Sequence, residues 1–410
     1  MSNTKPYRIL HTSDWHLGNS LKDKDRSAEF ESFLNWLLGV LESKEVDALI
    51  VAGDIFDVVN PGHKAQELYY QFLAKVSSTG CKHVVITAGN HDSASLLDAP
   101  KEILSALSVS VVGNVSKEAL DKQIIELKES GETKMIVCAV PYLREAALRE
   151  FAKETANRDI AKLVIDGTTQ HYKELGDRVQ AMGLPSVPVV ATGHLFAAKV
   201  TGDQDKELRE VVGNLGLIEA SVFPDVFDYV ALGHIHRPQM VGASNKVRYS
   251  GAPLLMGFNE TKQSRSVYLV DFPKNQDCVV SAVEVPVFQA FERVQGDLKT
   301  IKSALSKLKE SNSNAYVEVI YESEVIINNL GYELKDYLND VPFTVVSLEN
   351  RSFLKQIGIL DSENIQDLQE MTELEVFETL LNRNEELTEG TKTELVQVFK
   401  ELLVIASEEE

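Results

Sequence analysis

Five short segments of the sequence carry side chains that bind metal ions: Ser13 to His16 (SDWH), Gly53 to Asp57 (GDIFD), Gly89 to Asp92 (GNHD), Gly193 to His194, and Gly233 to His236 (GHIH). Five of the nine histidines fall in them. Taken singly, a D-x-H or a G-N-H is more often a turn with a satisfied polar side chain. In the order D-x-H, GD, GNH, GH, GHxH, each after an apolar run, they describe a cage, with Asp14, His16, Asp54, Asn90, His194, His234 and His236 as candidate ligands. Residues i and i+2 of an extended backbone face the same way, so Asp14 with His16, and His234 with His236, are each expected to aim two ligands at one spot. Glycines at 53, 89, 193 and 233 stand directly before ligands and permit tight turns.

The chemistry such a cage serves is hydrolysis of a phosphate ester. A phosphodiester repels anionic nucleophiles, and phosphate esters are among the slowest substrates to hydrolyse uncatalysed. Two cations about 3.5–4 Å apart neutralise that charge and lower the pKa of a bound water towards about 7. A carboxylate shared between them, assigned to Asp54, holds the pair together. Mixed imidazole, carboxylate and amide ligation suits Mn²⁺, Fe²⁺ or Zn²⁺, whereas Mg²⁺ prefers all-oxygen sites.

The elements that must position these loops read as strand, turn, helix repeated up to about Pro286. Strands are expected at Tyr7–Leu10, Ala48–Ala52, Val84–Thr87, Met135–Val140, Val187–Thr192, Tyr229–Leu232, Val247–Tyr249, Ser266–Phe272 and Val279–Val285, with helices at Ser27–Ser43 and Glu67–Ser77. The close spacing of the later strands favours two stacked sheets over one open parallel sheet. Residues Arg144 to Met182 read as helices packed outside.

Beyond them, helix Leu298–Leu308, strand Tyr316–Tyr321, helix Val325–Leu338 and strand Phe343–Ser347 form a small αβαβ unit. The tail offers two helices opened by capping boxes, Thr372 to Glu375 and Thr391 to Glu394. In the second, Leu395, Val398, Phe399, Leu402 and Ala406 make an apolar stripe. Such a hairpin folds back on its own domain or docks a partner, and the pattern alone leaves both open. The fold expected is therefore α/β: a two-sheet β-sandwich flanked by helices over 1–288, an αβαβ unit over 289–350 and a helical tail over 351–410.

The whole chain bounds this reading. At 410 residues it exceeds what one hydrophobic core sustains, so a large domain with appendages is expected. A net charge of −21 excludes wrapping nucleic acid by bulk electrostatics. From Arg351 to Glu410 fifteen acidic residues face five basic ones, nearly half the excess. No GxxxxGK[ST] occurs, so an ATP loop of that kind is absent. The first residues lack the apolar run of a signal peptide and no stretch is apolar enough to span a bilayer, which points to the cytoplasm and to no membrane partner. Cys81, Cys138 and Cys278 lack metal-ligand spacing and are expected to be reduced core residues. His11 is expected to be a hydrogen-bonded core residue; His63, His83 and His171 lie outside the cage. Arg237 is open to either a phosphate contact or a surface salt bridge, and the lysines at 299, 302, 307 and 309 to contact with a DNA backbone, with a solvated helical face as their default.

The order and wording of these motifs resemble the calcineurin-like metallophosphoesterases. ILHTSDWHLG, DALIVAGDIFD, GNHDS, ATGHL and DYVALGHIHR, followed by RYSGAP and a late helical tail, are similar in particular to the branch of double-strand-break repair nucleases. That resemblance implies one metal on Asp14, His16, Asp54 and His236 and the other on Asp54, Asn90, His194 and His234, both Mn²⁺. It implies that His91 protonates the leaving oxygen or stabilises charge on phosphate, with Asp92 orienting its ring. Archaeal members commonly carry a second catalytic histidine where this sequence has Asp57. The activity implied is ATP-dependent 3′-to-5′ exonuclease action on duplex ends and endonuclease action on single strands and hairpins, in replication, recombination and repair. The partner implied is an SMC-like ATPase in a heterotetramer, and a homodimer of this chain is compatible. The αβαβ unit would then cap DNA and the tail would dock the partner. Two rivals remain open. One is a stand-alone phosphatase or cyclic-nucleotide phosphodiesterase; the other is a scaffold stabilised by metal.

Overall fold

Strand β2 (Ala48–Ala52, ALIVA) is buried at every position, as an interior strand covered on both faces must be. In the computed structural model, which describes residues 5–22, 24–152, 160–197, 218–242, 245–261, 263–327 and 329–352 together with 381, 391–392 and 395–396, β2 lies inside one of two six-stranded sheets. Numbered in chain order, the first sheet runs β12 (Val279–Glu284), β11 (Ser266–Phe272), β1 (Tyr7–Thr12), β2, β3 (His83–Thr87), β4 (Val109–Val112). The second runs β5 (Ile124–Glu129), β6 (Glu132–Cys138), β7 (Val189–His194), β8 (Tyr229–Gly233), β10 (Val247–Tyr249), β9 (Gln239–Met240). Strands β1 to β4 are mutually parallel, as are β6, β7, β8 and β10, while β5, β9, β11 and β12 run antiparallel to their neighbours.

The two-residue alternation of the strands sorts the core into layers. Ile9, Ile50 and Val85 face across to Val137, Val190 and Ala231 between the sheets. Leu10, Leu49, Val51 and Ile86 face helices α1 (Ser27–Ser43) and α2 (His63–Val76) on the other side. The outer face of the second sheet is covered by α5 (Glu145–Ala152) and α6 (Ile160–Ala181), through Leu148, Phe151, Leu163 and Leu175. Two short helices, α3 (Ala94–Asp98) and α4 (Lys101–Ser105), follow β3. The sandwich flanked by helices is thus as expected. Strands β4 and β5 were not anticipated: β4 is four residues long, and β5 (IIELKE) places charges between its apolar residues in a hairpin with β6.

The chain divides after Phe288. The second unit holds a three-stranded parallel sheet, β13 (Phe291–Gly296), β14 (Tyr316–Tyr321) and β15 (Thr344–Asn350), with α7 (Leu298–Glu310) and α8 (Leu330–Leu338) as its crossovers. The expected αβαβ order is corrected to βαβαβ. In FERVQG only Phe291 and Val294 are buried, three apart and separated by charges, so no strand alternation was visible. Helix α8 begins at Leu330, after its Asn329 cap, and Val325 is exposed. The tail helices, with their capping boxes at Thr372–Glu375 and Thr391–Glu394 and the stripe from Leu395 to Ala406, lie outside the described residues apart from isolated positions. Cys81, Cys138 and Cys278 are free, the first two buried. No described helix is long and apolar enough to cross a membrane.

Candidate metal centre

The five ligand-bearing segments leave the carboxyl ends of parallel strands β1, β2, β3, β7 and β8, where open α/β sheets present their loops. The Asp14 and His16 amides donate to the carbonyls of Gly53 and Asp54, at 2.9 and 3.0 Å, and tie the first two loops together. The third loop is tied in by Asp92. Its buried carboxylate accepts the amides of Ile55 (3.1 Å), Phe56 (2.9 Å) and Gly89 (2.8 Å).

Convergence does not come from the pleat of a strand. Asp14, His16 and Asp54 all adopt left-handed backbone, with φ of +52°, +48° and +51°, and His234 has φ +100°. Such values cost a non-glycine residue about 1–3 kcal/mol each and cluster where function over-determines the backbone. Asp14 and His16 point into the site while Trp15 between them is fully buried against Phe33 and Phe72. Asp14 and His16 do converge on one spot as expected, whereas the expectation that His234 and His236 do so is corrected. His236 Nε2 lies 3.2 Å from His16 Nε2, whereas His234 Nδ1 lies 2.9 Å from Asn90 Oδ1.

The candidate ligands fall into two of the three metal-capable clusters found among the described residues. Asp14, His16 and His236 form one and Asp54, His194 and His234 the other, each with donor atoms within 4.8 Å of one another. Asn90 Oδ1 joins the second, 3.0 Å from His194 Nε2. Asp54 lies between them: its Oδ2 is 3.6 Å from His16 Nε2 and 3.1 Å from His194 Nε2, and its Oδ1 accepts the His91 amide at 2.9 Å. The close approach at Gly89 is what admits this carboxylate. A Cβ there would stand 2.0 Å from Asp54 Oδ1, and one on Gly53 would stand 2.2 Å from His194 Nδ1.

The donor set fits cations. Asp14 and Asp54 are 0% and 2% exposed, so their charge needs a positive neighbour. Burial disfavours a charged His194, yet Asp54 and Asp14 outweigh it and lift the ring to about 9. Burial pushes the Asp54 carboxyl up, and the His194 and His16 rings draw it well below its ordinary value. The buried aspartates thus make this spot one that favours positive charge, as a cation site must. Burial and the neighbouring His194 hold His234 down at about 3, so that ring keeps a lone pair to offer.

Partners outside the cage set the rings. His194 Nδ1 donates to the Ala52 carbonyl at 3.0 Å, leaving Nε2 for the cluster. His16 Nδ1 meets the Asp57 carboxylate at 3.1 Å; burial opposes the charged ring, and this bond with the nearby aspartates raises its basicity overall. Asn19 Nδ2 donates to the same Asp57 oxygen at 3.2 Å, and Asn19 Oδ1 accepts from buried Arg26 at 2.7 Å. His236 has Glu260 3.5 Å from its Nδ1, and Arg265 clasps both Glu260 and the His236 carbonyl. Asp14 accepts the His234 amide at 2.9 Å and the Ser13 hydroxyl, which also pairs with Ser250. Glu260 and Arg265 escaped the sequence reading because no motif marks them.

The role given to Asp92 is corrected. Its oxygens are used by backbone amides, and the ring of His91 is oriented by the Asp57 main-chain carbonyl, 2.8 Å from Nδ1. Nδ1 therefore carries hydrogen and Nε2 is free. His11 is fully buried with Nδ1 2.9 Å from the Tyr229 hydroxyl, and His171 is buried on Gln123.

The calcineurin-like phosphoesterase family model matches residues 7–238, and the SbcD C-terminal model, described as a type 5 capsule protein repressor C-terminal domain, matches residues 287–385. The chain is 33% identical over 414 residues to the SbcD component of nuclease SbcCD from Escherichia coli (strain K12), covering 98% of this chain and 100% of that one. To the SbcD components of Rhodobacter capsulatus and Bacillus subtilis (strain 168) it is 37% and 34% identical, over 64% of this chain and 66% of each relative.

Proposed function

Because the chain belongs to the calcineurin-like phosphoesterase family and, within it, to the SbcD nucleases, we propose that it is the DNA-cleaving component of a nuclease completed by an SMC-like ATPase. It is a metal-dependent phosphoester hydrolase. DNA as substrate is supported by one observation above the rest: the likeness to the SbcD component of nuclease SbcCD runs end to end, through the second unit and tail that a stand-alone phosphatase would not need.

In this reading Asp14, His16, Asp54 and His236 hold one divalent ion and Asp54, Asn90, His194 and His234 the other, with Mn²⁺ the expected metal. Bound there, the two ions supply an activated water and neutralise the phosphate. The protein's own groups do the rest. His91, whose Nδ1 donates to the Asp57 main-chain carbonyl, presents Nε2 to the leaving oxygen; with hydrogen on both ring nitrogens it is the proton donor there or the stabiliser of its charge. Asp92 keeps the His91 loop against β2 by holding three amides. Asp57 and Glu260 hold His16 and His236 in the orientation a cation needs.

The activity proposed is 3′-to-5′ exonucleolysis of duplex ends and endonucleolysis of hairpins and single strands, dependent on ATP hydrolysed by the partner SbcC. That division of labour agrees with the absence of a GxxxxGK[ST] loop here. Residues 289–350 are assigned to capping the DNA and the acidic tail, 351–410, to docking the ATPase, in a cytoplasmic heterotetramer serving DNA replication, recombination and repair. With a net charge of −21, much of the positive surface that DNA requires falls to the partner.

The test is cleavage of a hairpin-ended duplex in Mn²⁺ by the purified chain, with and without the ATPase, beside His91→Ala. Cleavage lost by about 10²–10⁴-fold in the variant is the expected result. Intact DNA beside rapid hydrolysis of a small phosphodiester would replace the nuclease by a phosphodiesterase.

A further inference from the structure

A cavity of about 350 Å³ opens directly beside the second ligand cluster, with Asn90, His194 and His234 forming one end of it. The remainder of its wall is largely apolar: Leu148 of α5, Leu163 and Val164 of α6, Leu195 and Phe196 after β7, and Tyr142 after β6. Two of these rings touch the candidate ligands themselves. Phe196 stands edge to face with His234 at 4.0 Å between centroids, and Tyr142 with His194 at 6.3 Å.

We propose that this cavity receives an unstacked nucleobase of the nucleotide whose phosphate lies at the metal centre. The inference rests on the DNA-cleaving reading above. Three features of the wall select this occupant. Among the described residues no lysine or arginine lines it, and its Glu145 carboxylate is already paired with Arg149, so this wall offers a second phosphate no free cation. Its volume is that of a small-ligand site, about 300–1,000 Å³, and takes a flat heterocycle with room to spare. Its aromatic rings offer the faces and edges on which bases stack whatever their sequence, while the Thr168 hydroxyl and Glu145 can meet base edges. Because the cavity and the cluster share Asn90, His194 and His234, a base in one and its own phosphate in the other are a single nucleotide's length apart. A base can enter only after leaving its stack, which costs least at a frayed end, a hairpin tip or a single strand. The cavity thus makes unpaired nucleotides the preferred point of cleavage.

The experiment uses the full chain with its ATPase partner, ATP and Mn²⁺, and end-labelled single-stranded oligonucleotides carrying one abasic site at successive positions. Cleavage slows about tenfold at the step where the missing base would have occupied the cavity, the equivalent of about 1.4 kcal/mol of stacking. In Val164→Trp, which fills the cavity from α6, the ratio of intact to abasic rate falls towards one. Robust cleavage with no pause at any abasic position in the wild type would overturn the cavity's role and leave the nuclease reading standing. So would a Val164→Trp variant that keeps the wild-type ratio. Failure to cleave any DNA, with small phosphodiesters still hydrolysed, would overturn both. The wild-type scan decides the question even where the variant does not fold.

Discussion

Removing the carboxylate of Asp57 separates two tasks that this residue performs with different atoms. Its side-chain Oδ1 orients His16, 3.1 Å from Nδ1, while its main-chain oxygen orients His91 at 2.8 Å. Asp57→Ala deletes the first contact and leaves the second. His16 is almost fully buried, so water cannot readily replace the lost acceptor, and the ring both loses its fixed tautomer and becomes less basic. Losses of such outer partners weaken metal binding by about 10–100-fold, or about 1.4–2.7 kcal/mol. A Mn²⁺ titration of the hydrolysis rate, with binding followed in parallel by calorimetry, should show the half-saturating Mn²⁺ rise by that factor. The rate at saturating metal should stay within about threefold of wild type, because His91 keeps its orienting carbonyl. Asn19→Ala should move the same parameter in the same direction by less, since it only steadies Asp57. Unchanged Mn²⁺ affinity with the rate lost at every metal concentration would refute this reasoning and place Asp57 on the substrate.

Three other perturbations test the scaffold of the site. Asp92→Ala leaves the amides of Ile55, Phe56 and Gly89 buried without their acceptor, and should lower stability by about 3–5 kcal/mol in chemical denaturation. Gly89→Ala drives a methyl against the backbone and carboxylate of Asp54, and should abolish Mn²⁺ binding as read by calorimetry. His11 and His171 are buried in apolar surroundings that lower each ring from 6.5 to about 3, so both are neutral in the fold and become charged on unfolding below pH 6.5. Their contribution is complete above pH 6.5 and is lost as pH falls towards 3; at pH 5 each costs about 2 kcal/mol of stability. His171→Phe should flatten the acid limb of the stability profile by that amount.

What was legible in the sequence was local. The strands Ala48–Ala52, Val247–Tyr249 and Ser266–Phe272 and the helix Ser27–Ser43 stand where their apolar patterns put them, because each buries an unbroken or regularly spaced face. Strands β5 and β13 did not show, because one sits in a hairpin with charges between its apolar residues and the other buries only two residues out of strand register. The ligand loops were found through residue type and order, yet the means of their convergence was not. Left-handed backbone at Asp14, His16 and Asp54 is a property of loop against loop, enforced by the Gly53 and Asp54 carbonyls, and no periodicity reports it. Asp92 was given to its sequence neighbour His91, whereas in space it serves residues 55 and 56, some 36 positions away. Glu260 and Arg265 support His236 from beyond any motif.

The most direct measurement is anomalous X-ray diffraction at the manganese edge from crystals grown with Mn²⁺. Two peaks are expected, one among Asp14, His16 and His236 and one among Asn90, His194 and His234, with the Asp54 carboxylate reaching both. A single peak, or a peak among His16, Asp57 and His91, where donor atoms also come within 4.8 Å of one another, would contradict the two-ion centre on which the proposed hydrolysis rests.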